Sequence, residues 1–220
     1  MAFQRLKRAL PHAAFLTRIL FGVRVPHATA QGHWDYSTLV LFSVLKKWVR
    51  PGQRVLELGT GEAGILSIAL ARRIEARYVA LDVAEEAVES ARRVAAANST
   101  TVEFRRSELF SAVDLNEAFD IVFFNPPYLP RRQGGAWRGL GEPPRVWDGG
   151  EDGLEVIRRF WVEAGARREK LGTILLGFNR HAVGEPRVVE LAAAQGFDSI
   201  ATTRALHPGT VAAFRAAKTP

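Results

Sequence analysis

The sequence predicts an α/β fold, in which a mostly parallel sheet ends in an antiparallel pair of strands. From residue 54 onward, short apolar runs alternate with longer stretches whose apolar residues are spaced for one buried helical face. Near the carboxyl end this alternation stops, and two strand-like runs follow each other through a Pro-Gly turn. At 220 residues the chain is long enough to bury a full core as one α/β domain.

Each element follows from its length and composition. The predicted strands are Arg54–Leu58, Arg77–Asp82, Val102–Arg106, Asp120–Phe124, Thr173–Phe178, Asp198–Arg204 and Val211–Ala217. The predicted helices are Ala63–Arg73, Glu85–Ala97, Gly153–Ala166 and Glu185–Gln195. The last two strands form a hairpin. One long irregular segment, residues 129–152, is rich in Gly, Pro, Arg and Trp, and irregular segments of this length in compact domains are usually functional.

Composition excludes several classes of protein. With 47% hydrophobic and 24% charged residues, the chain is neither disordered nor fibrous. Its longest apolar stretch, around Leu39 to Leu45, is far shorter than the ~20 residues of a membrane-spanning helix. The absence of cysteine excludes disulfides, thiolate metal sites and a cysteine nucleophile. A soluble, cytoplasmic protein is the default expectation.

The charge distribution is uneven. The chain carries 30 basic and 23 acidic residues, a net charge of +7, which fits either nucleic-acid binding or a biased genome composition. Five basic residues precede Asp35, the first acid: Arg5, Lys7, Arg8, Arg18 and Arg24. We therefore predict a basic helical extension over residues 1–50, ahead of a main domain over residues 51–220. The extension fits a docking helix for an acidic partner, a membrane-surface helix, a transit peptide or a solvated helix packed on the domain.

A glycine cluster follows the first predicted strand directly. Residues 59–64 read Gly-Thr-Gly-Glu-Ala-Gly, so the backbone can approach a ligand closely and the next helix offers free N–H groups. Asp82 ends the second predicted strand about 20 residues after the glycine cluster, the sequence separation that is typical of a ribose-binding acid. A simple tight turn, a nicotinamide dinucleotide site and an S-adenosylmethionine site all fit this pattern.

Two features favour S-adenosylmethionine. Glu57 lies just before the glycine turn, where a carboxylate suits the cationic amino-acid end of S-adenosylmethionine and repels a pyrophosphate. The sequence also shows no second mononucleotide-binding half, which a dinucleotide fold requires.

The fourth predicted strand leads into Asn125–Pro126–Pro127–Tyr128. In a doubly wound sheet the ends of strands one and four are neighbours, so this tetrapeptide is expected to face the glycine turn. The Asn125 side-chain oxygen and the Pro126 carbonyl can accept hydrogen bonds from a planar NH₂ group and aim its nitrogen at a methyl donor. The prolines stiffen the backbone, and Tyr128 can lie flat against a planar substrate. We predict Asn125, Pro126 and Tyr128 as catalytic residues and Asn125, Pro127 and Tyr128 as substrate contacts.

These motifs resemble class I S-adenosylmethionine-dependent methyltransferases of the HemK/PrmC type, which N-methylate glutamine in proteins such as translation release factors. A second segment supports the resemblance: Glu142–Pro143, followed by Asp-Gly-Gly-Glu-Asp-Gly-Leu at residues 148–154, is similar to that family's Glu-Pro and Gly-Gly-x-Asp-Gly segment. The Asn-Pro-Pro-Tyr motif alone is shared with adenine methyltransferases. The resemblance covers roughly residues 54–217 and implies a Rossmann-like, seven-stranded class I methyltransferase fold.

The resemblance also implies the binding residues. Carried over by position, the S-adenosylmethionine contacts are Glu57, Gly59, Thr60, Gly61, Asp82, Glu108 and Asn125. Within this set Asp82 holds the ribose and Glu108 lies beside the adenine. No metal is expected, because the histidine spacing forms no metal pair and the acids of residues 148–152 fit a turn holding a lid.

Three departures from the family bear on the substrate. Where the family's glycine motif has its third glycine, this chain has Ala63 followed by Gly64. The bulky Trp147 replaces a smaller residue and is expected to contact the substrate. Residues 33–38 stand where the family has a Pro-Arg-Pro-acid stretch. The residues ahead of Arg54 are also too few for the separate helical substrate-docking domain of the bacterial release-factor enzymes.

The expected reaction is methyl transfer to a planar NH₂ nitrogen, with a protein glutamine amide favoured as acceptor. Adenine N6 in RNA or DNA is the alternative, since residues 131–147 are rich in Arg and Trp. A small-molecule acceptor, a nicotinamide oxidoreductase and a non-catalytic binding protein remain further alternatives.

Overall fold

One seven-stranded sheet forms the centre of the protein. The computed structural model describes residues 13–26, 34–135 and 143–218. The strands are β1 (Arg54–Leu58), β2 (Arg77–Asp82), β3 (Glu103–Arg106), β4 (Phe119–Phe124), β5 (Leu171–Asn179), β6 (Phe197–Arg204) and β7 (Gly209–Ala216). Their order is β3-β2-β1-β4-β5-β7-β6, parallel except for β7, which is antiparallel to both β5 and β6. The predicted fold is confirmed.

Seven α-helices lie among the described residues. They are α1 (Ala13–Phe21), α2 (Tyr36–Trp48), α3 (Ile65–Ala71), α4 (Glu85–Ala97), α5 (Glu155–Gly165), α6 (Arg180–Val183) and α7 (Glu185–Ala193). The predicted bounds of α4 are confirmed to the residue. The predicted start of α3 at Ala63 is wrong by two residues, because Gly64 has a left-handed backbone (φ 53°) and keeps the loop open to that point. No element is predicted for residues 180–183. They form a helical turn because the Asn179 side chain caps it by accepting from the His181 N–H.

Hydrophobic packing covers both faces of the sheet. Alternate residues of each strand enter different cores: Phe123 packs with α2, α3 and α4, whereas Phe124 packs with α5 and α7. Because both faces are covered, the open positions lie at the strand ends. The order reverses between β1 and β4, so a crevice forms beyond the carboxyl ends of these two strands.

The described parts of the amino-terminal region pack on this domain. Trp34 donates from Nε1 to Thr17 Oγ1 at 2.9 Å, and its ring meets Phe21 edge-on with centroids 5.4 Å apart. Helix α2 lies across β5 and β7 and contributes Leu41 and Leu45 to the core. The division at residue 50 stays a prediction, and residues 1–12 and 27–33 lie outside the described residues. None of the described helices has the length and apolar character needed to cross a membrane.

Candidate active site

A cavity of about 400 Å³ lies beyond the carboxyl ends of β1, β2 and β4. The structure brings all seven predicted cofactor contacts to its wall: Glu57, Gly59, Thr60, Gly61, Asp82, Glu108 and Asn125. Residues that are up to 68 positions apart along the chain, from Glu57 to Asn125, thereby share one site. Their binding of a cofactor stays a prediction.

The glycine turn is tied to the end of β2. Gly61 N–H donates to Asp82 Oδ2 at 2.8 Å, and Thr60 N–H donates to the Leu81 carbonyl at 2.9 Å. Gly59 has φ 65°, and a β-carbon there would lie 3.0 Å from the Phe124 ring. Both its conformation and this close approach require glycine. The turn thus closes over the strand ends with its backbone facing the cavity.

Glu57 lies in the cavity wall and is 4% exposed. Its Oε2 accepts hydrogen bonds from Thr60 Oγ1 at 2.9 Å and from Ser67 Oγ at 2.5 Å. Burial raises the pKa of Glu57 to about 7, although these two hydroxyl donors oppose the rise. A cationic group placed beside Glu57 would therefore meet a carboxylate that ionises near neutral pH.

Asp82 at the end of β2 and Glu108 in the loop after β3 also line the cavity. The second carboxylate oxygen of Asp82 accepts from the Ala84 N–H at 3.0 Å, so backbone donors fix both of its oxygens. Glu108 lies on the exposed rim, where it forms an ion pair with Arg159 of α5. Leu109 beside it has a left-handed backbone at φ 47°, which turns this loop toward the cavity.

Asn125 lines the cavity just after the end of β4. Its Nδ2 donates to Thr38 Oγ1 at 3.3 Å, whereas its Oδ1 is buried with no hydrogen-bond partner. An unpaired buried acceptor costs about 1–3 kcal/mol, and sites that await a ligand commonly carry such a cost. Pro127 lines the cavity, while Pro126 is buried outside the lining.

The stacking of Tyr128 on a planar substrate stays a prediction. Tyr128 is 8% exposed and lies outside the cavity lining. Its hydroxyl donates to Asp35 Oδ2 at 2.6 Å and lies 3.0 Å from Ser37 Oγ. Burial and the Asp35 carboxylate raise the pKa of Tyr128 well above its usual value, so the hydroxyl stays protonated as a donor. A buried phenol needs an acceptor, and Asp35 supplies it.

The substrate contact of Trp147 likewise stays a prediction. The Trp147 indole is 3% exposed, lies outside the cavity lining and packs directly on Gly134, where any β-carbon would overlap the ring. The indole is a large apolar group, and burying it holds the segment between β4 and α5 together. The cavity wall receives Pro143, Arg145 and Val146 from this segment instead.

Backbone hydrogen bonds connect the Gly-Gly-Glu-Asp-Gly segment and Trp147 to Leu129, which directly follows the Asn-Pro-Pro-Tyr motif. Leu129 N–H donates to the Trp147 carbonyl at 3.0 Å, and Gly149 N–H donates to the Leu129 carbonyl at 2.9 Å. A β-carbon at Gly149 would lie 2.5 Å from the Gly153 carbonyl oxygen. The glycines therefore allow two stretches of backbone to lie side by side. Glu142 of the predicted Glu-Pro segment, and Trp137 and Arg138 of the stretch rich in Arg and Trp, lie outside the described residues.

The acids of this segment are held by arginines and backbone N–H groups. Asp148 accepts from Arg131 Nε at 3.0 Å and from Gly150 N–H at 2.9 Å. Asp152 pairs with Arg158 and Arg187, and hydrogen bonding to Arg158 holds its pKa below the usual range. Within the described ranges, no three His, Asp or Glu side chains converge as metal ligands would.

Replacing Gly153 by alanine is expected to destabilise the protein by about 2–4 kcal/mol, because Gly153 has φ 82° and a β-carbon would lie 2.5 Å from the Tyr128 carbonyl oxygen. Thermal or urea unfolding measures the loss. Gly52→Ala is the matched control, since Gly52 has φ 81° but nothing within 4 Å of its β-carbon position. Equal losses in the two variants would show that backbone strain alone acts and that the contact with Tyr128 is irrelevant.

Sequence reasoning missed the contribution of α2 to the site. Trp34, Asp35 and Thr38 line the cavity from the start of this helix. Asp35 caps α2 by accepting from Thr38 N–H at 2.8 Å, with Thr38 Oγ1 accepting from Asp35 N–H at 3.2 Å in return. Such a reciprocal capping box is readable from an Asp-x-x-Thr spacing before an apolar run. That signal predicts the helix start but not its place in the site.

Comparison with known proteins places the chain in a family. A family model described as the methyltransferase small domain matches residues 24–136, about half of the chain. The chain belongs to the methyltransferase small-domain family. The matched part of this small-domain methyltransferase begins at residue 24 and so includes α2 as well as the glycine turn and Asn125.

Relatives with curated names support this membership. The small-domain methyltransferase is 38% identical over 117 residues to release factor glutamine methyltransferase of Bacillus cereus, covering 50% of this chain and 40% of that protein. It is 32% identical over 150 residues to a putative protein N5-glutamine methyltransferase of Methanocaldococcus jannaschii, covering 65% and 70% of the two chains. The resemblance to the HemK/PrmC type is therefore confirmed, while this chain spans well under half of the Bacillus relative.

Solved structures share the fold. A methyltransferase from Pyrococcus furiosus superposes with a TM-score of 0.68 at 19% identity, covering 97% of this chain and 98% of that one. The 16S rRNA methyltransferase RsmC of Thermus thermophilus, in complex with AdoMet and guanosine, superposes with a TM-score of 0.61 at 24% identity. The match covers 85% of this chain and 44% of that one.

The matched region is a methyltransferase domain with S-adenosylmethionine as its cofactor. The cavity fits this cofactor, because it presents the Glu57 carboxylate, an open glycine backbone and Asp82 in one wall. The nicotinamide oxidoreductase interpretation of the glycine turn is therefore abandoned.

Proposed function

We propose that the protein methylates the side-chain amide of a glutamine in a protein substrate of the release-factor type. The observation that carries this proposal is the buried Asn125 Oδ1, an acceptor with no partner in the described structure. An amide NH₂ group is a donor of matching geometry. The names of the Bacillus and Methanocaldococcus relatives favour glutamine as the residue that carries it.

Each wall of the cavity has a part in this reaction. Bound S-adenosylmethionine supplies a methyl carbon attached to a sulfonium leaving group. Glu57 is suited to the cationic amino group of the cofactor, and Asp82 to ribose hydroxyls. Asn125 Oδ1 accepts one N–H of the substrate amide and thereby orients its nitrogen. Because that nitrogen loses its proton only after the new bond forms, the site needs no strong base beside it.

The charges around the cavity favour a protein over a nucleic acid. Among the described residues, six carboxylates line it: Asp35, Glu57, Glu62, Asp82, Glu108 and Asp148. Two arginines of the described ranges line it, and both are in ion pairs, Arg145 with Glu86 and Arg159 with Glu108. A phosphate backbone at this rim would meet more negative than positive charge.

Methyl transfer from tritiated S-adenosylmethionine tests the proposal. Matched pools of release factor, ribosome-associated protein, total RNA, DNA and small-molecule extract are incubated with the wild type and with Asn125→Ala. We expect label in protein, absent from the variant reaction and located at a glutamine by mass spectrometry. Label in RNA or DNA would instead identify adenine as the acceptor and contradict the proposal.

A further inference from the structure

The hydroxyl of Thr38 is the junction of three hydrogen bonds at the cavity wall. Its Oγ1 accepts from Asp35 N–H at 3.2 Å, donates to Asp35 Oδ1 at 2.9 Å and accepts from Asn125 Nδ2 at 3.3 Å. Thr38 is 7% exposed and Asp35 is half-buried, so solvent competes little for these contacts. The Asn125 amide is thereby tied to the first turn of α2.

The single proton of the Thr38 hydroxyl determines which way the Asn125 amide points. A hydroxyl has one proton, and an ionised carboxylate can only accept. Since Asp35 Oδ1 takes the Thr38 proton, Thr38 can offer Asn125 only a lone pair. The Asn125 group facing Thr38 must then be the NH₂, and Oδ1 must face the other way. This argument is independent of the oxygen and nitrogen positions, which are otherwise hard to tell apart.

Space on the other side of the amide is consistent with this orientation. A β-carbon at Gly177 of β5 would lie 3.1 Å from Asn125 Oδ1, so the absence of a side chain there leaves room beside the oxygen. The Asp35 carboxylate also holds Tyr128, the last residue of the tetrapeptide, because the Tyr128 hydroxyl donates to Asp35 Oδ2 at 2.6 Å. Asp35 therefore anchors residues 125 and 128 at once.

We propose that Thr38 is a positioning residue for methyl transfer. Its hydroxyl donates its one proton to Asp35 and therefore holds the Asn125 amide in the orientation that leaves Oδ1 available to the substrate NH₂. Without this hydrogen bond, the amide can rotate and present its own NH₂ group, which repels a donor. The catalytic consequence rests on the proposed function, whereas the orientation itself does not.

Kinetics test the consequence. In Thr38→Val, which keeps the shape and removes the hydroxyl, we expect kcat to fall ~10- to ~10²-fold, with S-adenosylmethionine affinity within about threefold of wild type. Thr38→Ser keeps the hydroxyl and should restore kcat to within about threefold. Thr173→Val is the matched control, because it removes another buried hydroxyl, bonded to Arg215 Nε at 3.0 Å, at the opposite end of β5.

Nuclear magnetic resonance on the wild type tests the orientation, with Asn125→Asp used only to assign the Asn125 signals. Overhauser contacts between the Asn125 side-chain NH₂ protons, identified through Asn125→Asp, and the Thr38 side chain are expected. Their absence would overturn the proposal, as would near-normal kcat in a folded Thr38→Val protein. If the contacts are present but no glutamine is methylated, the proposed function fails and the positioning role stands, to be measured with whichever acceptor is labelled.

Discussion

Replacing Asn125 by alanine is expected to lower turnover at least ~10²-fold while S-adenosylmethionine binding stays within a few-fold of wild type. Asn125 is the one residue of the tetrapeptide whose side chain both lines the cavity and has a free buried acceptor in the described structure. Its loss removes the contact that orients the substrate nitrogen and leaves the glycine turn untouched. Single-turnover rates with excess enzyme, together with cofactor titration by calorimetry, separate the two effects.

Asn116→Ala is the control for this variant. Asn116 is exposed in the loop before β4, so its replacement should change neither turnover nor binding. Turnover of Asn125→Ala within about threefold of wild type would contradict the role assigned to Asn125. Equal losses of turnover and of cofactor affinity would mean that Asn125 supports the cofactor pocket rather than the acceptor.

The affinity for S-adenosylmethionine is expected to fall about tenfold for each pH unit below 7, because the cationic end of the cofactor binds the ionised form of Glu57. Burial raises the pKa of this carboxyl to about 7, so protonation competes with binding near neutral pH. Glu57→Gln should bind ~10- to ~10²-fold more weakly at pH 8, with little pH dependence between 5.5 and 8. Calorimetry in buffers of different ionisation enthalpy would detect the proton released on binding.

The same pKa shift affects folding in the opposite direction. A carboxyl whose folded pKa lies above its unfolded value of 4.5 stabilises the ligand-free protein fully below pH 4.5, and this contribution is lost as the pH rises through about 7. Glu57→Gln should remove that part of the pH dependence of unfolding. Glu75→Gln, at an exposed acid near the start of β2, should keep both pH dependences. A Glu57→Gln protein with an unchanged pH profile of binding would refute the assigned contact.

The order of the elements, and the position of the glycine turn beside the Asn125 tetrapeptide, follow from the sequence alone. Alternation of apolar runs and helical faces predicted β1, β2 and α4 to the residue, because these elements bury regular patterns. The strand order expected of a doubly wound sheet then predicts that the glycine turn lies beside Asn125. The sequence pattern places the start of α3 two residues too early and does not predict α6, because one glycine conformation and one side-chain cap outweigh periodicity there.

The hydrogen-bond partners of Tyr128, the packing of Trp147 and the place of α2 beside the cavity depend on the tertiary structure. The Tyr128 hydroxyl finds its acceptor 93 positions earlier in the chain, and Asn125 is held by a residue 87 positions earlier. The motif supplies a phenol and an amide, but their orientation depends on which donors and acceptors the folded chain brings to them. A buried polar group takes the partner that packing provides, and no local pattern contains that partner.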